Sequence, residues 1–331
     1  TISPKSYNNK YGVPLSLFNI NQNDNFGVLE IGMDKKGEIH KLSKIIQPDI
    51  SVITNINYAH AKNFKNIRQI ALAKGEIINN TKDDGHIVLN ADDAFFDLHK
   101  RIANKKKIKV LSFGIKNQNA DIKLNNITKT KKKYNILVKI NNFKINFTIS
   151  NHFENHIYNV LAALTVKSIF FDISKLNKNI FLNFKTPEGR GDITKIKVNK
   201  KIINLIDESY NSNPLSLRTA ILNYDKIKTR NAKKYLILGD MLELGSHSKK
   251  LHESLSPVIN RTNIDKVFVT GKEIFHLYKR ISNIKKGSVL KNKLKIKDLI
   301  EKNLDNNDFL MIKASNATGF NKIVKELKGA N

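Results

Sequence analysis

The sequence predicts an α/β protein of two domains, each built around a mostly parallel sheet. Short apolar runs that end in polar residues alternate with segments of helical spacing along most of the 331 residues. Strands separated by helices imply a parallel sheet with covered faces. The stretch 121–150 instead alternates apolar and polar residues with period two, which predicts antiparallel hairpins at a sheet edge, with a turn at 141–142. A chain of this length commonly forms two or three domains.

The first predicted domain covers residues 1–186 and has a central, mostly parallel sheet. Apolar runs bounded by turn residues predict its strands, and apolar residues three or four positions apart predict its helices. The predicted strands are 26–31, 50–56, 87–90 and 110–114, and the predicted helices are 67–79 and 155–171.

The second predicted domain covers residues 187–331 and is a smaller, doubly wound, Rossmann-like sheet. We place the boundary near 186–189, where a proline and a glycine interrupt the pattern. The predicted strands are 202–206, 235–238, 266–269 and 309–312. Because ligands of such sheets bind at the carboxyl ends of strands, polar residues such as Asp207 and Asp240 mark a candidate site.

Composition narrows the classes of partner and chemistry. The chain has no Cys, which excludes disulfides, thiolate metal sites and cysteine nucleophiles and is compatible with a cytoplasmic location. No apolar run approaches the roughly 18 residues of a membrane span, so no membrane insertion is expected. The net charge of +29 accompanies abundant Lys, Asn and Ile throughout the chain, as an AT-rich genome produces. Basic stretches interleaved with aromatic residues are absent, so we expect no nucleic-acid partner, with a basic nucleic-acid binder as an alternative.

Three residues of the first half are candidates for metal chemistry. Glu30 ends an apolar run and could hold Mg²⁺ or cap the next helix. His60 follows the 50–56 strand and could be a ligand or an ordinary surface residue. Lys74 lies among alanines and isoleucines of the 67–79 helix, so it could be a solvated charge or point inward, where burial lowers a lysine pKa.

Polar segments of the second half also admit two interpretations. The segment 207–214 places two acids at a strand end, followed by small polar residues that could form a turn and a helix N-cap. Arg190 could form a loop salt bridge or bind phosphate through its guanidinium fork. The segment 239–245 could be a simple strand-to-helix loop.

Taken in order, the segments 30–32, 59–60 with 73–76, 207–214 and 239–245 resemble the Mur ligase family of ATP-dependent amide-bond ligases. The pattern N-N-x-x-G-V-P at 8–14 is similar to that of the members that join D-alanyl-D-alanine to UDP-MurNAc-tripeptide. The resemblance implies a cytoplasmic, monomeric enzyme of peptidoglycan precursor synthesis that activates the tripeptide carboxylate as an acyl phosphate. It covers essentially the whole chain.

The resemblance also implies roles for individual residues. Lys74 becomes a carbamate by reaction with CO₂ and shares a second Mg²⁺ with His60, while Glu30 holds the first Mg²⁺. The residues implied to contact ATP are Asn159, Arg190, Asp207, Glu208, Asn211 and Asn213. Those implied to contact UDP-MurNAc-tripeptide or D-alanyl-D-alanine are Asn8, Asn9, Asp240, Glu243, His252 and Lys313.

Two of the places where the sequence departs from the family pattern concern ligand binding. Asn316 stands where a family Arg is common, in the segment 313–316. No G-x-x-x-x-G-K-S/T phosphate loop occurs, and the chain begins where the residues after such a loop are expected. We therefore expect a truncated chain, without the domain that binds the UDP-sugar and inactive alone. The alternatives are a sibling Mur or folylpolyglutamate-type ligase, and a catalytically dead relative that acts as a binding protein.

Overall fold

The computed structural model describes residues 1–130, 133–140, 143–149, 154–183, 186–292 and 295–329. The chain divides into two compact units, Thr1–Ile56 with Asn63–Phe184, and Asn57–Lys62 with Lys185–Asn331. The short segment Asn57–Lys62 thus belongs by its contacts to the second unit, although it precedes most of the first in sequence. The predicted division into 1–186 and 187–331 stays a proposal, and the predicted turn at 141–142 lies outside the described residues.

The first unit contains a sheet and the helices that accompany it. Its helices are α1 (Gly12–Phe18), α2 (Glu38–Ile46), α3 (Ile67–Asn80), α4 (Phe96–Lys105) and α5 (Glu154–Phe170). Its strands are β1 (Ile50–Ile53), β2 (His86–Asn90), β3 (Lys109–Gly114), β4 (Ile122–Thr130), β5 (Lys133–Ile140) and β6 (Phe143–Ile149).

The strands of the first unit follow one another across the sheet in chain order. Pairing is parallel from β1 to β4 and antiparallel from β4 to β6. The predicted mostly parallel sheet with antiparallel hairpins at its edge is therefore confirmed. Buried residues from both parts, including Val88, Phe113, Val138 and Phe147, share one hydrophobic cluster with Leu161 of α5.

Helix α3 forms where its apolar spacing predicts it. The side-chain oxygen of Asn66 accepts a hydrogen bond from the Gln69 amide at 3.1 Å, which satisfies one free donor at the helix start. Ile70, Ala71 and Ile78 are buried on the inner face of the helix. This anchoring fixes the position of Lys74, which lies between them in sequence.

The predicted strand at 26–31 is wrong. Only Val28 pairs, in an isolated parallel bridge to Ile2, and Val28 is 64% exposed. Phe26 packs its ring edge-on against Phe170 at 4.9 Å between centroids instead of entering a sheet. An apolar run becomes a strand only where a neighbouring strand can take up its backbone donors and acceptors, and here one bridge does so.

The second unit contains a second sheet. Its strands are β7 (Asp192–Val198), β8 (Lys201–Glu208), β9 (Lys234–Gly239), β10 (Lys266–Thr270), β11 (Lys286–Val289) and β12 (Phe309–Lys313). Its helices are α6 (Pro214–Asp225), α7 (Ser248–Glu253), α8 (Ser256–Asn260), α9 (Phe275–Arg280), α10 (Ile296–Asn303) and α11 (Phe320–Lys328).

The second sheet has the order β11-β10-β9-β12-β8-β7 and is parallel except for the β7–β8 pair. This non-sequential order is that of a doubly wound sheet, as predicted. Strands β8 and β12 pair Lys313 with Glu208, so the carboxyl ends of both strands meet at one edge. Among the described residues, no helix is both long and apolar enough to cross a bilayer.

Candidate active site

Lys74 lies half-buried on α3 of the first unit. Its Nζ donates a hydrogen bond to the backbone oxygen of Asn55 at 3.1 Å. Burial lowers the pKa of Lys74, and the negative charge of Asp93 opposes this shift only in part. Within the described residues no carboxylate lies at ion-pair distance from Nζ. The neutral form of the amine is therefore more populated than it is in an exposed lysine.

The residues that flank Lys74 hold the helix in place. Gly75 packs against His99 so closely that a Cβ there would lie 3.1 Å from the imidazole Cδ2. The carboxylate of Glu76 accepts hydrogen bonds from the amides of Gly37 at 2.9 Å and His40 at 3.1 Å. These amides belong to the first turn of α2, so Glu76 caps a neighbouring helix. In the A-K-G-E segment, Lys74 is thus the candidate for chemistry, whereas Gly75 and Glu76 hold the surrounding structure.

Glu30 has an exposed carboxylate in the first unit. Asn8 Nδ2 donates to Glu30 Oε1 at 2.8 Å, and the backbone oxygen of Asn8 accepts from the Gly32 amide at 2.7 Å. Asn9 accepts from the amides of Tyr11 and Gly12 through its side chain, both at 3.0 Å. The structure therefore brings two predicted residues, Glu30 and Asn8, into contact. None of the hydrogen bonds described for Glu30 caps a helix, which was its alternative role.

His60 and Glu243 form a close pair in the second unit. His60 Nδ1 lies 2.6 Å from Glu243 Oε2. Both residues have left-handed backbone conformations, with φ of 54° and 63°. For residues other than glycine each such conformation costs about 1–2 kcal/mol, and this strain concentrates at functional sites.

Two lysines neutralise the acids at the end of β8. Lys328 Nζ contacts both Asp207 and Asp192 at 2.7 Å. Lys313, whose side chain is 2% exposed, donates to Glu208 at 3.0 Å. Burial alone would lower the pKa of Lys328, but its hydrogen bonds to Asp192 and Asp207 and their charges raise it above its usual value. Asp207, Glu208 and Lys313 are therefore each engaged in an ion pair.

The rest of the 207–214 segment starts helix α6. Asn213 is the N-cap residue: its side chain accepts from the Ser216 amide, and Ser216 Oγ accepts from the Asn213 amide. The helix N-cap that the sequence allowed as an alternative is therefore present. Asn211 Oδ1 accepts from the Ser212 amide at 2.8 Å, while the Asn211 backbone oxygen accepts from Lys313 Nζ at 3.0 Å.

Arg190 stacks on Tyr210, with the guanidinium carbon 4.2 Å from the ring centroid. Its neighbours Gly189 and Gly191 have φ of 74° and 100°. A Cβ on Gly189 would meet the Tyr210 backbone nitrogen at 3.0 Å, so glycine is needed for this close approach.

Asp240 and His252 organise the loop after β9. Asp240 accepts hydrogen bonds from the amides of Ile274 at 2.8 Å and Lys272 at 3.2 Å. His252 is fully buried; its Nδ1 donates to the Ser248 backbone oxygen at 2.8 Å and its Nε2 accepts from the Met241 amide at 3.1 Å. Both ring nitrogens are engaged, so direct contact of His252 with a substrate does not fit this arrangement. It instead holds the 239–245 loop.

Two acids that follow β2 were not among the predicted site residues. Asp92 accepts from the amides of Ile115 and Asn117, both at 2.6 Å, and from the Tyr158 hydroxyl at 2.8 Å. Asp93 Oδ2 accepts from the Ile56 amide at 2.7 Å and is the charge that acts on Lys74. Their position directly after a buried strand was the available signal. Asn159, the neighbour of Tyr158 on α5, is exposed.

Two family models match this chain. The model of the Mur ligase middle domain matches residues 2–167, and that of the Mur ligase glutamate ligase domain matches residues 192–316. The chain belongs to the Mur ligase family. The family resemblance noted in the sequence is thereby confirmed.

Individual relatives cover nearly all of this Mur ligase. It is 29% identical over 325 residues to the UDP-N-acetylmuramoyl-tripeptide–D-alanyl-D-alanine ligase of Bacillus subtilis, covering 97% of this chain and 68% of that protein. It is 30% identical over 336 residues to the ligase of the same name from Buchnera aphidicola subsp. Baizongia pistaciae, covering 98% of this chain and 68% of the relative. The chain thus spans about two thirds of the length of these relatives.

Solved structures share the fold of this Mur ligase. A crystal structure of MurF from Acinetobacter baumannii superposes with a TM-score of 0.85 at 22% identity, covering 99% of this chain and 70% of that one. The MurF ligase of Thermotoga maritima in complex with ADP gives a TM-score of 0.83 at 24% identity, covering 100% of this chain and 73% of that one. At these identities the likeness establishes the fold.

The predicted residues fall into two groups. Glu30, Lys74, Asn8, Asn9 and Asn159 belong to the first unit, whereas the second unit contains His60, Arg190, Asp207, Glu208, Asn211, Asn213, Asp240, Glu243, His252 and Lys313. The convergence of Glu30, His60 and Lys74 on magnesium stays a prediction.

Proposed function

We propose that this protein joins D-alanyl-D-alanine to UDP-MurNAc-tripeptide with ATP, in peptidoglycan precursor synthesis. The observation that carries the proposal is Lys74: a half-buried lysine with a lowered pKa, at the position where the family resemblance calls for a carbamylated lysine. The name shared by the Bacillus and Buchnera relatives supports the choice of substrates. The 8–14 and 239–245 patterns support it independently.

The proposed reaction proceeds in two balanced steps. The terminal carboxylate of the tripeptide attacks the γ-phosphorus of ATP, which forms an acyl phosphate and releases ADP. The amine of D-alanyl-D-alanine then attacks the acyl carbon, loses a proton and expels inorganic phosphate. Positioning and charge neutralisation supply the catalysis, and no protein nucleophile is required.

The residues present fit magnesium and a lysine carbamate. Glu30 offers an exposed carboxylate, a ligand that Mg²⁺ prefers. His60 offers an imidazole, a side chain that commonly binds metal ions, and its Nδ1 lies 2.6 Å from Glu243 Oε2. The neutral form of Lys74 favoured by burial is the form that reacts with CO₂. We propose that Glu30 holds one Mg²⁺, and that His60 and carbamylated Lys74 hold the second. Bound Mg²⁺ would neutralise charge on the transferring phosphoryl group.

For the nucleotide we propose contacts from Arg190, Asn159 and the 207–213 segment. Arg190, stacked on Tyr210, can direct its fork of N–H donors toward phosphate oxygens. The acids Asp207 and Glu208 are already paired with lysines, so a contact of either with the ribose would use a remaining carboxylate lone pair. The Asn211 and Asn213 side chains already accept backbone bonds, which fixes their orientation.

For the peptide substrates we propose Asn8, Asn9, Asp240 and Lys313, held in place by the bonds described above. His252 contributes by positioning the Met241 backbone. Because the reaction consumes ATP and a UDP-linked precursor, we place it in the cytoplasm.

The test is an assay of the protein at its natural length with ATP, Mg²⁺, UDP-MurNAc-tripeptide and D-alanyl-D-alanine. We expect a product whose mass equals the two peptides minus one water, with one phosphate released per ligation. Single amino acids or glutamate chains serve as competing acceptors. Ligation of one of these in preference to the dipeptide would identify a sibling ligase instead. Absence of ligation with every acceptor would contradict the proposal and favour a binding protein.

A further inference from the structure

A cavity of about 510 Å³ lies in the second unit, at the edge of the sheet opposite to the candidate residues of that unit. Its lining includes Lys233 and Asp308, which directly precede β9 and β12. Asp240 and Lys313 lie instead at the carboxyl ends of the same two strands. At about 3.3 Å per residue, β12 separates the two edges by roughly 15 Å. The cavity is thus distinct from the candidate site, and its volume falls within the ~300–1,000 Å³ of small-molecule sites.

Hydrogen bonds hold the cavity wall that precedes β12. Asp308 is 3% exposed, and its carboxylate accepts from the amides of Lys233 at 2.8 Å and Asp305 at 2.7 Å. Asn204 Nδ2 donates to the backbone oxygen of Asn307 at 2.7 Å, which ties the wall to β8. Both oxygens of Asp308 are therefore engaged within the wall. A wall that is already ordered loses little conformational freedom when a ligand binds.

Four cationic residues line the cavity. Lys195 comes from β7, whereas Lys228, Arg230 and Lys233 come from the segment between α6 and β9. All four residues are exposed, and within the described part of the chain none of their side chains makes an ion pair or a hydrogen bond. Lys328 of the same unit, by contrast, contacts two carboxylates. The cavity thus concentrates positive charge that the protein itself leaves without counter-charges in contact.

The other lining groups suit an anion that also has polar parts. Of the acids in the described lining, Asp308 is engaged in the wall and Asp305 is exposed, so the carboxylates offset only part of the positive charge. A cleft lined mainly by charges of one sign raises the local concentration of ions of the other sign. The hydroxyl of Thr229 and the amide of Asn231 also line the cavity and can form hydrogen bonds with a polar ligand.

We propose that this cavity binds a small phosphorylated molecule, whose phosphate oxygens contact Arg230 and the three lining lysines. The planar guanidinium fork of an arginine matches phosphate oxygens, and lysines add point charges around them. The inference does not rest on the proposed function, because it concerns the other edge of the sheet. The opposite interpretation is that these cations are a solvated face that reflects the net charge of +29. The two interpretations differ in whether the position of a cation, or only the number of cations, determines anion binding.

The experiment titrates inorganic pyrophosphate into the protein at its natural length by calorimetry. At about 0.15 M salt the screening length is ~8 Å, so distant charges contribute little. The cavity variant combines Lys228→Ala with Arg230→Ala, and Lys195→Ala tests the cation from the other wall. The matched control combines Lys322→Ala with Lys325→Ala, which removes the same charge from exposed positions of α11 outside the cavity.

We expect the cavity variant to bind pyrophosphate at least about 10-fold more weakly than the wild type, because charge-assisted hydrogen bonds are lost. Lys195→Ala should bind with intermediate affinity. The control should bind as the wild type does. The exposed side chains that are replaced make no described contacts, so every variant should keep the fold, which circular dichroism can check.

A second measurement locates the bound anion. Pyrophosphate should slow the acetylation of Lys195, Lys228 and Lys233, measured by mass spectrometry, and should leave that of Lys322 unchanged. The titrations are repeated in an Arg190→Ala background, which removes the phosphate contact proposed for the candidate active site. Binding that depends on the cavity cations should persist in this background.

Three results would overturn the inference. The first is a wild type that neither binds pyrophosphate nor shows protected lysines. The second is an equal loss of affinity in the cavity variant and the control, which would mean that only net charge matters. The third is protection of the same lysines by a thymidine oligonucleotide at lower concentrations than by pyrophosphate, which would indicate a nucleic-acid surface. Ligase activity is measured separately and decides the proposed function whatever the outcome here.

Discussion

Lys74 in the first unit and Lys328 in the second are both withdrawn from solvent, yet their surroundings are opposite. Lys328 contacts two carboxylates at 2.7 Å. Lys74 donates to one backbone oxygen and, among the described residues, has no carboxylate at ion-pair distance. Accordingly burial lowers the pKa of Lys74, whereas the hydrogen bonds and charges of Asp192 and Asp207 outweigh burial and raise that of Lys328.

This difference distinguishes Lys328, which stabilises the fold, from Lys74, which is a candidate for chemistry. A paired lysine remains a cation and stabilises the fold around it. An inward lysine without a counter-charge destabilises the fold in its charged form, and its neutral form is reactive. Perturbed groups of the second kind concentrate at functional sites. The comparison predicts that the two lysines respond in opposite ways to substitution.

The largest expected effect is on activity. Replacing Lys74 by Ala should reduce ligation to below about 1% of the wild-type rate, because it removes the proposed ligand that helps neutralise phosphoryl charge. Phosphate release coupled to ligation measures the loss. Replacing Lys105, an exposed lysine of α4, by Ala is the matched control and should leave the rate unchanged. Partial rescue of Lys74→Ala by a short-chain carboxylic acid would sharpen the assignment. Undiminished turnover would contradict it.

The next effect is on stability and concerns Lys328. Replacing it by Met leaves Asp207, whose side chain is 3% exposed, without its counter-charge. Removing one partner of a buried pair costs about 3–5 kcal/mol of unfolding free energy. Urea denaturation of the second unit's transition measures the loss. Lys325→Met on the exposed side of α11 is the control and should change stability little.

The same pair of variants gives a pH dependence. Because the pKa of Lys328 is raised on folding, its contribution is fully present below the usual lysine value of 10.5 and is lost as pH rises through the folded value. The stability difference between wild type and Lys328→Met should therefore be constant near neutral pH and shrink as pH rises through the folded value of Lys328. A difference that persists unchanged in strong alkali would mean that the charge of Lys328 does not stabilise the fold.

Much of the fold followed from the sequence because it depends on local patterns. Apolar runs predict β8, β9, β10 and β12, and the spacing of isoleucines and alanines predicts α3. Strand β7 was missed because its buried Ile196 and Val198 alternate with exposed lysines, so no apolar run marks it. The 26–31 run was predicted as a strand because its composition suits one, but hydrogen-bond partners along its length decide the outcome.

The sequence predicted which residues belong to the candidate site, but not which residues they contact. The sequence identified Lys74, His60, Glu30 and the acids of the 207–214 segment. It could not identify Lys328 as the partner of Asp207, since the two are 121 positions apart. Nor could it place His60 against Glu243, or show that both nitrogens of His252 are engaged. Such pairings arise from tertiary packing, which a single sequence does not encode in any local pattern.

Replacing Lys74 by Met should change the free energy of unfolding less than replacing Lys328 does, and in the opposite direction. In CO₂-free buffer at neutral pH, removing an inward amine without a counter-charge should stabilise the first unit, within the about 0.5–2 kcal/mol typical of stabilising substitutions. Because the pKa of Lys74 is lowered on folding, its penalty is absent well above the usual lysine value of 10.5 and grows as pH falls from there to the folded value, so the gain should be larger at neutral pH than in strong alkali. Thermal denaturation measures it, with Lys105→Met as the control. Destabilisation by Lys74→Met would mean that Lys74 resembles Lys328 after all.

The smallest expected effect on stability concerns an uncharged hydrogen bond, and it serves as a reference for the charged contacts. Replacing Asn213 by Ala removes the side-chain cap of α6 and should cost about 1 kcal/mol of unfolding free energy. Asn213→Asp keeps a capping oxygen and should retain most of the stability, which urea denaturation can measure for both variants. If Asn213→Ala costs as much as Lys328→Met, then the loss in the latter reflects general disruption of the β8 end and not the unpaired charge of Asp207. If it costs only about a third, the ionic network is what distinguishes this lysine from Lys74.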